Sequence, residues 1–161
     1  MIRSTLLKLF LLATLICGTL DILLAVFLTL QRGKDPADML RTVASGPFSP
    51  ATEWGAGGAV LGLGVHFTLM AIMVGSFLVL VSQRPNLLDR PLLAGIAFGL
   101  VTYVIMNLIV VPLRWPAAFP PKPLGVATQL FAHLVLVALP TVLIARAMLA
   151  KVAPGVAPAA A

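Results

Sequence analysis

Residues 55–82 read GAGGAVLGLGVHFTLMAIMVGSFLVLVS, an uncharged apolar run with one imidazole, His66, inside it. About 20 predominantly apolar residues are enough for an α-helix to cross the hydrocarbon core of a bilayer. The run exceeds that length and contains no Asp, Glu, Lys or Arg, so it predicts a transmembrane helix. His66 is then a polar side chain within the membrane, and its role is the main question that the run raises.

The composition of the whole chain agrees with a membrane location. Of the 161 residues, 60% are hydrophobic and 10% are charged, whereas soluble domains average about 45–50% apolar and about 25% charged residues. Four membrane crossings of about 20 residues use half of this length, so no second folded domain fits. We therefore expect an all-α integral membrane bundle with one domain over residues 1–150.

Three further apolar runs complete the predicted bundle. The first is longer than the apolar segment of a signal peptide, which is about 7–15 residues, so we interpret it as an uncleaved helix. The second of these runs, which is the third span along the chain, ends at VVPLRWPAAFPPKP, whose prolines interrupt a helix. The tail KVAPGVAPAAA, residues 151–161, has little to bury and is expected to be mobile. The predicted spans are about Leu6–Leu30, Gly57–Ser82, Leu92–Val111 and Leu124–Ala150.

The first loop carries the signals of one short helix. Asp35 followed by Pro36 is a typical helix start, with an N-cap aspartate before a proline at the first helical position. Ser45-Gly46-Pro47 is a typical stop. Apolar and polar side chains between them fall largely on different sides, so we predict a helix over Pro36–Ala44 that lies along the membrane interface.

The basic residues are scattered along the chain. Eleven Lys and Arg against five Asp and Glu give a net charge of +6, but no aromatic-interleaved basic patch of the nucleic-acid-binding kind occurs. Loop charges of this sort face anionic membrane lipids. Four spans place both termini on one side, which holds six of the basic residues against five on the other. The positive-inside rule therefore favours cytoplasmic termini.

Six polar side chains fall on helix faces that also carry small residues. Counted from the helix ends opposite the termini, Asp21, His66 and His133 are each about nine residues deep and Tyr103 about eight, which is close to the bilayer midplane. Ionisable residues at that depth are costly and mark functional sites by default. We predict an intramembrane polar cluster of Asp21, His66, Tyr103, Asn107, Gln129 and His133.

Three roles are compatible with this cluster. In the first, interhelical hydrogen bonds specify packing, and the protein is an accessory or interaction subunit of a larger membrane complex or homo-oligomer. In the second, His66 and His133 are the axial ligands of a b-type haem, with Arg114 available for the propionates. In the third, Asp21, His66 and His133 move protons or ions, or hold a metal such as zinc. The motifs of soluble hydrolases, zinc proteases and nucleotide-binding loops are missing, which argues against a soluble-type enzyme.

The segments that carry the polar cluster also resemble a known group of proteins. They are GTLDILLAV (18–26), TVASGPFSP (42–50), WGAGGAVLGLGVHF (54–67), YVIMNLIVVPL (103–113) and AHLVLVALP (132–140). Together they are similar to small four-helix bacterial inner-membrane proteins, distantly of the YagU type. The resemblance implies four helices and a bacterial inner-membrane location. It brings no catalytic or binding residues with it.

Overall fold

A computed structural model describes residues 2–150 and confirms an all-α bundle of four transmembrane helices with a short helix in the first loop. The predicted spans are confirmed, with ends that differ by a few residues. The tail predicted to be mobile lies outside the described residues. The helices are α1 (Ile2–Gln31), α2 (Pro36–Ala44), α3 (Gly55–Gln83), α4 (Pro91–Arg114) and α5 (Pro123–Leu149).

Helices α4 and α5 each contain a π-helical stretch in their middle. In α4 it spans Val104–Val110 and in α5 it spans Ala132–Ala138, with i→i−5 hydrogen bonds at their ends. Pro112 and Pro140 follow one turn or less beyond these stretches. Proline lacks the N–H of a regular turn and its ring crowds the carbonyl four residues earlier, so a wider turn before it relieves the conflict. The helix α4 therefore continues through Pro112 to Arg114, three residues beyond the end predicted at Val111.

The short helix α2 begins and ends where the sequence predicts. The side chain of Asp35 caps it by accepting a hydrogen bond from the Ala37 N–H at 2.9 Å. It packs against the first turns of α3, where Gly62 faces the backbone carbonyl of Leu40 so closely that a Cβ would overlap it. The absence of a side chain at Gly62 therefore allows α2 to lie against α3.

The four long helices pack unevenly. Helix α3 packs mainly on α1 and α2, while α4 packs mainly on α5, and α1 contacts α5 in the centre. Helices α3 and α4 meet through Phe77 and Phe98, whose ring centroids are 5.0 Å apart. We call the end of the bundle near these two rings the terminal end, because α1 begins and α5 ends there. The opposite end, where α2 lies, is the α2 end.

The hydrophobic core is concentrated towards the terminal end. Leu9, Ala13 and Cys17 are fully buried along one face of α1, at a spacing of four residues that keeps them on one side of the helix. The thiol of Cys17 lies 3.3 Å from the Thr141 hydroxyl, so this cysteine is a buried packing residue of α1.

Candidate functional site

A cavity of about 950 Å³ lies in the half of the bundle nearer the α2 end, and it is partly open to the bundle surface. Helices α3 and α4 form its two sides, and residues of α1 and α5 contribute to its wall. Residues of α2 and the loop after it line the mouth. In a membrane, an opening between two transmembrane helices faces the bilayer. The polar residues that line it include Asp21, His66, Asn107, Arg114, Gln129 and His133.

One polar pair lies between α1 and α3. The Nε2 of His66 is 2.9 Å from the backbone oxygen of Gly18, and because a carbonyl can only accept, this nitrogen carries a hydrogen. Its Nδ1 lies 3.8 Å from Oδ2 of Asp21, whose side chain is 22% exposed towards the cavity. An imidazole beside it lowers the cost of placing the Asp21 carboxyl group within the membrane.

Gly18 makes this pair possible through its missing side chain. A Cβ at Gly18 would lie 2.6 Å from the ring of Phe67, next to His66 in the chain. The ring of Phe67 also meets that of His66 edge to face, with centroids 5.3 Å apart. The close approach of α1 and α3 therefore depends on glycine, as expected where helices pack without a hydrophobic driving force.

The second polar group joins α4 and α5. Thr102 donates its hydroxyl hydrogen to the Gly99 carbonyl at 3.1 Å, so its oxygen accepts from Nδ1 of His133 at 3.0 Å. The Nε2 of His133 then accepts from the Asn107 amide at 3.2 Å. This arrangement specifies a neutral imidazole with its hydrogen on Nδ1. The ring of Tyr103 packs edge to face on His133, with centroids 6.0 Å apart.

Asn107 presents an acceptor to the cavity. Its Nδ2 lies within hydrogen-bond distance of both the Tyr103 carbonyl, at 3.4 Å, and His133 Nε2. Both amide hydrogens are thus used, and Oδ1 has no hydrogen bond to any part of the chain that the structure describes.

Arg114 is fixed at the cavity mouth. Its Nε and Nη2 donate to the carbonyls of Ser45 and Gly46 and to the Ser49 hydroxyl, at distances of 2.6 to 3.0 Å. Ser45 is the C-cap of α2, where the helix dipole favours a cation. The guanidinium also lies 5.4 Å from the centre of the Trp115 ring. Arg114 therefore joins the end of α4 to the end of α2.

The remaining wall of the cavity is apolar and rich in methionine. Four of the six methionines of the chain line it, namely Met39, Met70, Met73 and Met106. Methionine is unbranched and polarizable, and it is common on binding surfaces that adapt to apolar ligands of different shapes.

The structure divides the predicted polar cluster into two groups on different walls of one cavity. Asp21 and His66 form the first group, and Tyr103, Asn107 and His133 belong to the second. Gln129 lines the cavity but is exposed, and no hydrogen bond of its side chain occurs within residues 2–150. Sequence reasoning missed Thr102 as the partner of His133, although its hydroxyl lies at nearly the same depth as Tyr103. It also missed the attachment of Arg114 to α2.

The haem and metal alternatives do not fit this geometry. In His133 one ring nitrogen donates and the other accepts, and the Nε2 of His66 carries a hydrogen, so neither histidine offers an Nε2 lone pair to iron. Within residues 2–150 no three His, Cys, Asp or Glu side chains group closely enough to hold a metal ion. Asp21, His66 and His133 are therefore not assembled as metal ligands. No direct hydrogen bond between side chains in that part of the chain links the Asp21 pair to His133.

Comparisons with protein-family models, with curated proteins and with solved structures find no match to this chain. The similarity to small four-helix bacterial inner-membrane proteins therefore stays a prediction. The function has to be argued from the cavity itself.

Proposed function

We propose that this protein is an accessory membrane subunit that binds a bilayer-soluble molecule in its cavity. The cavity of about 950 Å³ is the observation that supports the proposal. Pockets that enclose small ligands measure about 300–1,000 Å³ and combine apolar walls with a few polar groups. This cavity has that size and composition. Helices α3 and α4 both line it and scarcely contact each other, so lipid-dissolved molecules can enter between them. The proposal makes the accessory role expected from the sequence more specific.

Two features argue for binding rather than catalysis. The histidines have their nitrogens engaged with protein partners, apart from Nδ1 of His66, which faces Asp21. No residue in the described part of the cavity lining forms the nucleophile and base pair that acyl-transfer enzymes use. The polar groups instead offer fixed hydrogen-bonding positions on an apolar wall, which orient a bound molecule.

Native mass spectrometry of the purified protein in mild detergent tests this proposal. We expect one retained amphiphile per chain in the parent protein. Ala25→Phe places a ring into the cavity from α1 and should abolish retention, while Ala97→Phe, on an exposed face of α4, should leave it unchanged. A parent protein that retains nothing, or two variants that retain the molecule equally, would refute the proposal.

We propose further that the protein resides in the bacterial inner membrane with both termini in the cytoplasm. The resemblance described above supports the location, and the six-to-five distribution of basic residues supports the orientation. Single cysteines in a Cys17→Ala background test it. Asn86→Cys, in the turn between α3 and α4, should be shielded from impermeant thiol reagents in whole cells. Thr52→Cys, before α3, should react, and the reverse pattern would overturn the orientation.

A further inference from the structure

One side of the Arg114 guanidinium group makes no hydrogen bond to the described part of the protein. Its Nε and Nη2 are held by carbonyls and a hydroxyl near the end of α2, whereas its Nη1 has no hydrogen-bond acceptor in the part of the chain that the structure describes. Arg114 also lines the cavity. A guanidinium that is already held in place loses little freedom when it binds an anion, and its planar N–H groups match carboxylate and phosphate oxygens.

The charged residues that line the cavity give its mouth and its deep part different electrostatic properties. Apart from the two histidines, its titratable lining residues are Asp21 and Arg114. Asp21 lies in the deep polar group opposite Asn107, and Asn107 is seven residues before Arg114 on α4. Seven residues of helix correspond to about 10 Å. An anionic group is therefore attracted to the mouth, where Arg114 lies. The deep part offers it the acceptor oxygen of Asn107 and two histidines that are already engaged with protein partners.

Among the described residues, Arg114 is the basic side chain other than histidine that lines the first cavity. A neighbouring cavity of about 740 Å³ shares Met39, Val43 and Trp115 with the first. It is also lined by two basic and two acidic side chains, whose formal charges cancel: Arg32, Lys34, Asp35 and Asp38. Asp38 is in addition engaged by Arg41, which lines neither cavity.

We infer that the bound molecule is an anionic amphiphile from the bilayer, with its charged headgroup on Arg114 and its apolar chain along the methionine-lined wall. This inference rests on the proposed binding function and names the chemical class of the ligand. Arg114 lies at the last residue of α4, so the headgroup stays at the level where lipid headgroups lie. Trp115 beside it is placed as interfacial tryptophans are.

The test compares a fatty acid with its neutral ester. Trp54→Phe leaves Trp115 as the single tryptophan of the chain, and Trp115 lines the mouth. In lipid nanodiscs, stearic acid with a nitroxide near its headgroup and the corresponding methyl ester are compared as quenchers of Trp115 fluorescence. The concentration of each probe is expressed as its mole fraction in the bilayer. The measurements are made at a pH at which the acid is ionised. A charge-assisted hydrogen bond predicts that the acid quenches at about tenfold lower mole fraction than the ester.

Variants of arginine locate the effect. Arg114→Gln should abolish the preference for the acid and Arg114→Lys should keep part of it, whereas Arg41→Gln should leave it intact. Equal quenching by acid and ester in the parent protein would overturn the anionic headgroup and leave cavity binding standing. No saturable quenching by either probe would refute the proposed binding function as well. The comparison in the parent protein decides the matter even if Arg114→Gln does not fold.

Discussion

Asn107 and His133 are joined by a single hydrogen bond between α4 and α5, with 3.2 Å between the two nitrogens. Asn107→Leu leaves Nε2 of His133 without a donor, and His133→Phe leaves one hydrogen of the Asn107 amide without its acceptor. We expect the two changes to be non-additive, with a coupling energy of about 0.6 kcal/mol and at most about 1.7 kcal/mol, as for other hydrogen bonds within membranes. Unfolding of the two single variants, the double variant and the parent protein by titration with sodium dodecyl sulfate measures this energy.

Thr128→Val provides the control for that cycle. Within residues 2–150 the Thr128 hydroxyl bonds to carbonyls of its own helix alone, those of Leu124 and Gly125, so its loss should add independently to that of His133. Additive effects of Asn107→Leu and His133→Phe would show that the hydrogen bond contributes nothing to the stability of the bundle.

Single residues show how far sequence reasoning reaches. Helix rise alone places Asp21, His66 and His133 at one depth, because depth follows from counting residues. Partners depend on how each helix is rotated and which helix lies beside it. For that reason the acceptor of His66, a backbone oxygen at Gly18, and the partner of His133, the hydroxyl of Thr102, required the structure.

Gly62 determines how α2 sits on α3. A Cβ at Gly62 would overlap the carbonyl of Leu40, which is backbone and has no other rotamer to adopt. We expect Gly62→Val to displace α2 and to lower the free energy of unfolding by about 1–3 kcal/mol, the usual cost of overpacking. Gly64→Val is the matched control, because nothing lies within 4 Å of a Cβ at Gly64. Accessibility of a cysteine introduced at Leu40 reports the displacement, and equal accessibility in both variants would contradict this packing.

Helix boundaries were predictable where a side chain acts on its own backbone. Asp35 caps α2 by accepting a hydrogen bond from Ala37, two residues along the chain. The local sequence is therefore enough to predict where α2 begins. The end of α4 predicted before Pro112 was wrong, because a proline can either end a helix or be accommodated within it. It ends a helix when nothing continues the packing, but here a π-helical stretch accommodates it and Arg114 anchors the following turn on α2. That anchor lies 69 residues away in the chain, beyond any local signal.

The cavity is a property of the whole molecule that periodicity does not reveal. Each of α3 and α4 has a face of small and polar residues, and this pattern predicts tight packing against a neighbouring helix. The structure satisfies parts of those faces with other partners, since Gly62 of α3 lies against α2, Gly75 of α3 lies against α1, and Gly99 of α4 lies against α5. The two helices are then left apart towards the α2 end, and five of the six residues predicted to form one polar cluster line a space instead.

The uneven packing of the bundle predicts an uneven response to truncation. Phe77 is 1% exposed and contacts Phe98 where α3 meets α4, so Phe77→Ala creates a new cavity and should cost about 3–5 kcal/mol. Met106 lines a cavity that already exists, so Met106→Ala removes few contacts and should cost about 1 kcal/mol or less. The buried thiol of Cys17 reports unfolding through a thiol-reactive dye during heating. Equal losses of thermal stability in the two variants would mean that the bundle is held together as firmly around the cavity as at the terminal end, and an open binding site between α3 and α4 would then have no structural basis.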